Sequence, residues 1–490
     1  TGAALAAWPE RCGLSIAEDG FIDVLPTLQT ASHDFVFAAG DAATIRGAKR
    51  PKSGVYAVRA GKVLAENLIR YATQRKLKAF KPQRQALALI SLGDKSAIAS
   101  KGSTSGQGRL VWQLKQRIDS GFVKRFSHFP PMPAEIELAK GLLTTEDENS
   151  LRNHAMRCAG CGAKVASGVL DEVLDDLHEG ETPRRVEDAS SVDLGDGRVL
   201  LQSVDQLSAF INDPFLFARI ASNHALSDIY AMGAQPHSAL AVVGMPMASK
   251  TMSKRLLSEL MQGCKLALAD NDCELLGGHT AENPQLQLGL AVNAFAKPDE
   301  CLSKEGVAAT QLLILTRPIG SGTLFAGDMR SLSRHRWIEA AVEQMLLSNR
   351  RASQIFLKHQ ASACTDITGF GLAGHLAEMI SPNGAAVELA LDQIPLFDGS
   401  LELADHGIRS SLHESNRRVA SSFFNVEAYG SKARFELLFD PQTAGGLLAS
   451  VAEHRAEDCV ADLREAGYGE AVIIGRVIRT GDAAASVLLK

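Results

Sequence analysis

The alternation of hydrophobic and polar positions predicts strands interleaved with helices, most clearly between residues 199 and 233. Residues 199–204 alternate like a strand, and Asp213 with Pro214 makes a good N-cap and first turn for a following helix. Gly233 should end that helix. Residues 286–292 alternate like another half-buried strand. The helix positions expected to face the core are Phe217, Ile220, Ala221, Leu226, Ile229 and Met232.

A second strand and helix are predicted near the start of the chain. The apolar run at residues 35–39 indicates a buried strand that stops at Gly40, with the carboxylate of Asp41 just beyond. Ligands of α/β sheets bind beyond the ends of such strands. Residues 51–68 should then form a helix with small residues on one side, able to lie close to a ligand: Ala57, Ala60, Gly61 and Ala65.

Residues 109–126 predict an amphipathic helix that carries five basic residues among its apolar ones. Such a helix usually packs on its own domain, and the alternative is peripheral contact with a membrane surface. The proline-rich segment 128–133 is typical of a stiff linker. We therefore place a domain boundary between about residue 128 and residue 150.

Composition narrows the class of protein. The 490 residues allow two to four domains, and the chain contains neither a membrane-length apolar run nor a signal peptide. Scattered cysteines in a chain of this length suggest reduced thiols and a cytoplasmic location. Because the chain begins at Thr1 rather than Met, we expect that an N-terminal segment is missing.

Charge is distributed unevenly. Residues 1–130 carry 20 Lys and Arg against 9 Asp and Glu, whereas the remainder carries 31 against 47. The front is therefore basic and the rest acidic. An acidic catalytic region argues against nucleic acid as its main partner and suits metal binding.

A thiol and an amine lie three positions apart in a loop of small residues, at Cys161 and Lys164. A nearby cation lowers the pKa of a thiol, so Cys161 is a candidate nucleophile or chalcogen carrier. Gly160 and Gly162 would let the backbone approach a ligand closely. Two alternatives stay open for this fragment: a metal or redox pair of Cys158 with Cys161, or an ordinary loop cysteine.

Asp228 lies among apolar neighbours inside the predicted helix, where a carboxylate is costly unless it is paired or metal-bound. Three more aspartates stand next to predicted strands or a glycine-rich turn: Asp188, Asp205 and Asp366. Each alone would more often be a cap or a turn residue. Together they predict a multi-magnesium site for a polyphosphate. Glycine turns at 276–280, 320–323 and 440–446 could offer backbone N–H groups to phosphates, and none is a Walker A loop.

These motifs, in this order, resemble the selenophosphate synthetase (selenide, water dikinase) family, within the superfamily of aminoimidazole ribonucleotide synthetase. The resemblance covers residues 154–490. The superfamily's other members lack the Cys-x-x-Lys loop, and Ala163 departs from the second cysteine of many relatives. The matching stretches are 160–164, 187–189, 203–205, 223–233, 277–279, 366–371 and 440–446.

The resemblance implies an α/β (α+β) fold of two lobes, a ferredoxin-like lobe at 154–310 that pairs in a homodimer and a second lobe at 311–490. It implies that ATP, hydrogen selenide and water become selenophosphate, AMP and phosphate. Cys161 would carry, orient or activate selenium. The implied metal ligands are Asp188, Asp228 and Asp366, and the implied nucleotide contacts are Lys164, Asp205, Asp228, Leu276, Gly277 and Gly278.

Residues 1–128, followed by a linker at 129–153, resemble the second flavin-binding motif of type II NADH dehydrogenase-like flavoproteins. Gly40 and Asp41 would then hold FAD in the full-length protein. The front segment lacks Gly-x-Gly-x-x-Gly, so the main dinucleotide fold is missing from it. Two rival functions are another ATP-dependent kinase of the superfamily, such as a thiamine-phosphate kinase or hydrogenase-maturation protein, and a flavin-dependent NADH oxidoreductase.

Overall fold

The computed structural model describes residues 4–6, 8–127, 158–160, 173, 187–418, 432–481 and 485–490. The chain forms two compact units, Thr1–Pro133 and Ala134–Lys490, here called the front unit and the rear unit. Among the described residues, no helix is both long enough and apolar enough to cross a membrane.

The front unit combines a parallel strand pair with a small antiparallel sheet. The pair aligns Ile22 with Ala43, and the antiparallel sheet has the order β3-β4-β5. Its elements are α1 (Trp8–Arg11), β1 (Ile22–Val24), β2 (Ala43–Ile45), α2 (Gly54–Ala72), β3 (Ala88–Ser91), β4 (Ala97–Lys101), β5 (Thr104–Gly108) and α3 (Arg109–Ser127).

Both helices predicted in the front unit are present as α2 and α3, but the buried strand predicted at residues 35–39 is wrong. Phe35 is 64% exposed, and Phe37 forms only an isolated bridge with Gln29. This run packs as half-buried side chains against the small core of the unit and does not join a sheet. Gly40 has a φ of +69°, and a Cβ there would lie 3.1 Å from the Cβ of Ala57 on α2. The small residues of α2 therefore do permit a close approach.

The first lobe of the rear unit is a five-stranded sheet in the order β6-β7-β10-β8-β9, and α4 packs on α5 beside it. Its apolar core is formed by residues such as Phe217, Leu226 and Leu290. The elements are β6 (Ser190–Asp193), β7 (Val199–Ser208), α4 (Pro214–Ala231), β8 (Pro236–Met245), α5 (Lys250–Asp270), β9 (Glu274–Glu282) and β10 (Gln287–Ala296).

The strands of this lobe do not all run antiparallel to their neighbours. β8 and β9 are parallel neighbours, whereas the other pairs are antiparallel. The 21-residue helix α5 joins β8 to β9, and a crossover helix of this kind is what lets consecutive strands run parallel. The sheet is therefore mixed.

The second lobe is a six-stranded sheet in the order β12-β14-β11-β15-β13-β16, with helices around it. Its strands are β11 (Leu312–Leu315), β12 (Ala363–Asp366), β13 (Ala386–Leu389), β14 (Leu447–Val451), β15 (Val472–Arg479) and β16 (Ser486–Leu489). Its helices are α6 (Ser321–Asp328), α7 (His335–Leu346), α8 (Arg350–Lys358), α9 (Gly371–Ile380), α10 (Ser400–Asp405), α11 (His413–Arg418), α12 (Ala433–Glu436) and α13 (Glu453–Glu465).

Candidate active site

Three of the predicted carboxylates come together at the junction of the two lobes of the rear unit. Asp188 precedes β6, Asp228 lies on α4 and Asp366 ends β12. One oxygen from each lies within 4.8 Å of the others. Helix α4 starts as predicted, because the side chain of Asp213 accepts a hydrogen bond from Leu216 N at 2.9 Å.

The hydrogen bonds around the cluster leave two oxygens free. Ser203 Oγ donates to Asp228 Oδ2, and Thr365 Oγ1 donates to Asp188 Oδ1 at 3.2 Å. Asp188 Oδ2 and Asp366 Oδ2 are buried and have no partner among the described residues. Buried polar atoms are nearly always satisfied, so a missing partner here indicates a ligand.

Burial and mutual repulsion change the acidity of the cluster. Burial, followed by the charges of Asp366, Asp205 and Asp188, raises the pKa of Asp228 well above its ordinary value. Burial also raises the pKa of Asp188 to about 7, although Lys304 opposes the shift. A bound cation would relieve both effects, since it favours the ionised carboxylates.

The donor set fits a hard divalent cation. Magnesium prefers oxygen ligands, and it commonly takes a few carboxylates while water and phosphate complete its shell. Two buried oxygens that find no partner in the described part of the chain, within a cluster of three carboxylates, meet that requirement. The arrangement can therefore hold Mg²⁺.

Sequence reasoning missed Lys304, which the structure places in the cluster. Its Nζ lies 2.8 Å from Asp188 Oδ1 and 2.8 Å from Glu378 Oε2. Burial alone would lower the pKa of Lys304, but the two carboxylates raise it above its ordinary value. No local pattern marks this lysine, because its partners lie 116 and 74 residues away along the chain, as counted from their positions.

The described nucleotide contacts predicted in the first lobe lie on strands and a helix: Asp205 on β7, Asp228 on α4, and Leu276, Gly277 and Gly278 on β9. The Asp205 carboxylate is 2.8 Å from His224 Nε2. Leu276, Gly277 and Gly278 were expected to form a turn, and that prediction is wrong, because they belong to strand β9. The strand register shifts there, and Gly277 has a φ of +152°, so the glycine permits an irregularity in a strand rather than a turn.

The first two N–H groups of the 320–323 turn are already hydrogen-bonded within the chain. Gln442 Oε1 accepts hydrogen bonds from Gly320 N at 3.0 Å and from Ser321 N at 3.1 Å. A Cβ on Gly445 would lie 2.0 Å from Ile367 O. Gly445 therefore serves close packing beside β12, and the phosphate interpretation of the two turns stays a prediction.

Cys161 and Lys164 lie outside the described residues. The start of their loop is described. Cys158 is buried, and its N–H donates to Ser411 Oγ at 3.2 Å. Gly160 has a φ of +66°, and a Cβ there would lie 2.8 Å from Thr443 Oγ1. The loop thus begins against the 440–446 turn, in a conformation that favours glycine.

Gly40 and Asp41 of the front unit line a cleft of their own. Tyr56, Phe80 and Lys52 also border it. Lys52 Nζ donates to Ala43 O at 2.6 Å and to Thr44 Oγ1 at 2.9 Å.

Comparison with known families supports the division of the rear unit. The AIR synthase related protein N-terminal domain matches residues 186–296, and the corresponding C-terminal domain matches residues 311–487. These two segments contain the five-stranded and six-stranded sheets, which confirms the predicted two-lobed α/β fold.

Curated proteins resemble the rear part of this chain in sequence over nearly their whole length. The chain is 37% identical over 326 residues to the selenide, water dikinase of Pelobacter propionicus. This alignment covers 65% of this chain and 93% of that protein. It is 34% identical over 334 residues to the selenide, water dikinase of Bdellovibrio bacteriovorus, spanning 66% of this chain and 94% of that protein.

Solved structures with a similar chain course include thiamine monophosphate kinase from Aquifex aeolicus, with a TM-score of 0.46 and 18% identity over 66% of this chain and 96% of that one. Another is the hydrogenase maturation protein HypE of E. coli, with a TM-score of 0.43 and 17% identity. That match covers 66% of this chain and 94% of the HypE chain.

Proposed function

Because the chain belongs to the selenide, water dikinase family, we propose that it makes selenophosphate from hydrogen selenide, ATP and water and releases AMP and phosphate. The observation that carries this proposal is the similarity to the Pelobacter propionicus relative across 93% of that protein. The carboxylate cluster between the lobes supports it, since phosphoryl transfer requires neutralisation of phosphate charge.

Asp188, Asp228 and Asp366 would hold magnesium in this reaction. Bound Mg²⁺ supplies positive charge that neutralises the triphosphate and orients it. The protein residues around it have separate tasks. Ser203 orients Asp228 by a hydrogen bond, and Thr365 holds one oxygen of Asp188. The free oxygens of Asp188 and Asp366 remain available to the cation.

The nucleotide would also contact Lys164, Asp205 and the segment Leu276, Gly277 and Gly278. Asp205 and the three residues of β9 lie in the same sheet, on β7 and on its edge strand. An edge strand leaves backbone groups unpaired on one side, which a nucleotide can use. A fluorescent ATP analogue tests this assignment. Asp205→Asn should weaken its binding, and unchanged affinity would contradict the contact.

Cys161 would carry, orient or activate selenium close to the transferred phosphoryl group. The support is the position of Gly160, next to Cys161 in the sequence, which lies against Thr443 of the 440–446 turn. Cys161→Ser should keep nucleotide binding and lose selenophosphate formation. Cys158→Ala is the matched control, because it removes the other thiol of this segment at a buried position without burying a hydroxyl. Full activity of Cys161→Ser would overturn the assigned role.

Phosphorus NMR under anaerobic conditions tests the whole reaction. Protein, ATP, magnesium and selenide should give a selenophosphate resonance together with AMP. A parallel sample without selenide is the control. Equal ATP consumption in both samples would contradict the proposal and favour another kinase of the superfamily.

A homodimer would cover one face of the five-stranded sheet. Val204, Ala291 and Leu240 align across β7, β10 and β8, and Val204 and Leu240 are exposed. Val242 and Phe295 extend this apolar face. Leu240→Asp with Val242→Asp should give a smaller species by light scattering. Leu332→Asp, at an exposed leucine of the other lobe, is the control, and an unchanged mass in the double variant would contradict the dimer.

The domain organisation that accompanies this function is a flavoprotein-like domain at 1–128, a linker at 129–153 and lobes at 154–310 and 311–490. The cleft beside Gly40 and Asp41 would contribute to an FAD site, supported by the aromatic and cationic residues that border it. Flavin fluorescence should be quenched on addition of the protein, and less so with Asp41→Ala. Absence of quenching by the wild type would contradict FAD binding.

Helix α3 would make peripheral contact with an anionic membrane. Leu110, Leu114, Ile118 and Phe122 recur every four residues and are exposed, and the helix carries basic residues. The protein should float with vesicles that contain anionic lipid, and Leu114→Asp with Ile118→Asp should abolish this. Equal flotation of both proteins would contradict the contact.

A further inference from the structure

Lys304 is a buried lysine beside the carboxylate cluster. It begins a short 3₁₀ turn, Lys304–Gly306, and its side chain is 5% exposed. A buried ammonium group is unfavourable unless it is paired and hydrogen-bonded. Here it bridges Asp188 Oδ1 and Glu378 Oε2 at 2.8 Å each.

The two oxygens of the Asp188 carboxylate have different surroundings. Oδ1 accepts from both Lys304 and Thr365, whereas Oδ2 is buried without a partner among the described residues. Two donors on one oxygen fix the rotation of the carboxylate. The second oxygen is therefore held ready for a ligand, in the way that outer partners orient metal-binding side chains.

The turn that carries Lys304 is itself anchored to the elements that carry the metal ligands. Glu187, next to Asp188, accepts from Lys304 N at 3.0 Å through Oε2. Cys364 N, on the strand that ends at Asp366, donates to Ser303 O at 3.2 Å. A Cβ on Gly306 would lie 1.7 Å from Ser362 O, so the turn packs directly on the start of that strand.

Glu378 completes the arrangement from helix α9. Its carboxylate lies 3.5 Å from His375 Nδ1 as well as 2.8 Å from Lys304. Although burial would raise its pKa, His375 and Lys304 lower the pKa of Glu378 to about 2. Its negative charge balances the ammonium group, so Lys304 can hold Asp188 without adding an unpaired charge to the cluster.

We propose that Lys304 is a positioning residue for the metal site: its ammonium group, shared with Glu378, holds Asp188 so that Oδ2 faces the cation. The inference rests on the proposed metal role of the three aspartates. It assigns Lys304 no contact with ATP or selenium.

The affinity for Mn²⁺ tests this role. It is measured from the electron paramagnetic resonance signal of the free ion, in the absence of nucleotide and selenide. Lys304→Met should weaken Mn²⁺ binding by about 10-fold to 100-fold, the usual effect of removing an outer partner of a metal ligand. Lys304→Arg should restore most of the affinity, because it keeps the charge and donors. Lys358→Met is the control, since Lys358 pairs with Asp462 at the surface.

Unchanged or tighter Mn²⁺ binding by folded Lys304→Met would overturn the proposal; tighter binding would mean that the lysine only competes with the cation. Should Lys304→Met not fold, Lys304→Gln keeps a polar donor but is shorter and uncharged, so it cannot bridge both carboxylates and should also bind Mn²⁺ more weakly than the wild type. Equal affinity would overturn the inference. Failure of the wild type to bind Mn²⁺ would instead contradict the metal role of the aspartates.

Discussion

Asp366 and Asp440 are both fully buried aspartates of the second lobe, but their surroundings differ. Asp440 accepts from Thr323 Oγ1 at 2.7 Å through Oδ1 and from Gln442 Nε2 at 3.1 Å through Oδ2. Asp366 Oδ2 has no partner in the described parts of the chain, and the carboxylate of Asp188 is close by. Burial alone therefore does not distinguish a binding carboxylate from a structural one.

The difference lies in the supply of hydrogen-bond donors. Around Asp440, the chain provides a hydroxyl and an amide, and Gln442 in turn accepts from the first residues of helix α6. Around Asp366 and Asp188, the described part of the chain leaves one oxygen of each carboxylate without a donor. A buried acceptor without a donor is destabilising, so the folded protein retains it where a ligand supplies the missing partner.

The largest effect should come from Asp366→Asn. The amide keeps the shape of the side chain but removes one negative charge from the cation site. We expect kcat/KM for selenophosphate formation to fall by about 1,000-fold, which corresponds to about 4 kcal/mol of transition-state stabilisation. Asp440→Asn is the matched control, because it changes an equally buried aspartate that should not bind metal. Similar losses in the two variants would contradict the distinction.

The stability of the metal-free protein should fall as pH rises. Since burial raises the pKa of Asp188 from 3.8 to about 7, the native state holds a proton that the unfolded chain has released between about pH 4 and pH 7. Stability is therefore lost across this interval, by up to about 4 kcal/mol. The Asp228 pKa is shifted in the same direction.

Urea unfolding at pH 5.5 and pH 8.0 in the presence of a chelator measures this dependence. Excess Mg²⁺ should reduce it, because a bound cation stabilises the ionised carboxylates. Asp188→Asn should also reduce it. A wild-type protein that is equally stable at both pH values without metal would contradict the raised pKa.

Helix α4 could be predicted well from the sequence, because its signals are local. Asp213 caps it, the predicted inward residues are buried and Gly233 adopts a φ of +73°. The apolar run at residues 35–39 could not be assigned in this way, because a strand needs a neighbour that local sequence does not specify. The aspartates could be selected as a group from their motifs.

The partners of those aspartates could not be predicted. Lys304 reaches Asp188 across 116 positions, and only the packed fold brings the two together. The glycines of residues 440–446 were ambiguous for the same reason, since glycine suits both a phosphate turn and a close approach of two backbones. The structure shows the close approach at Gly445, where a Cβ would lie 2.0 Å from Ile367 O.

A smaller effect should follow from Asp440→Ala. This change removes the acceptor of the Thr323 hydroxyl and of the Gln442 amide, both of them buried. We expect a loss of about 2–3 kcal/mol in the free energy of unfolding. The concentration of Mg²⁺ that gives half-maximal activity should not change. Glu453→Ala is the control, because its pair with Arg476 is at the surface and should contribute less than about 1 kcal/mol.

The smallest effect should be stabilisation of the folded protein by Mg²⁺ alone. At ten times the dissociation constant, a ligand that binds only the folded state adds about 1.4 kcal/mol to the free energy of unfolding. Differential scanning calorimetry with and without Mg²⁺ should show this shift in the wild type and in Asp440→Asn, but not in Asp366→Asn. If Asp366→Asn were stabilised as much as the wild type, the free oxygen of Asp366 would not be a metal ligand, and the contrast with Asp440 would lose its functional meaning.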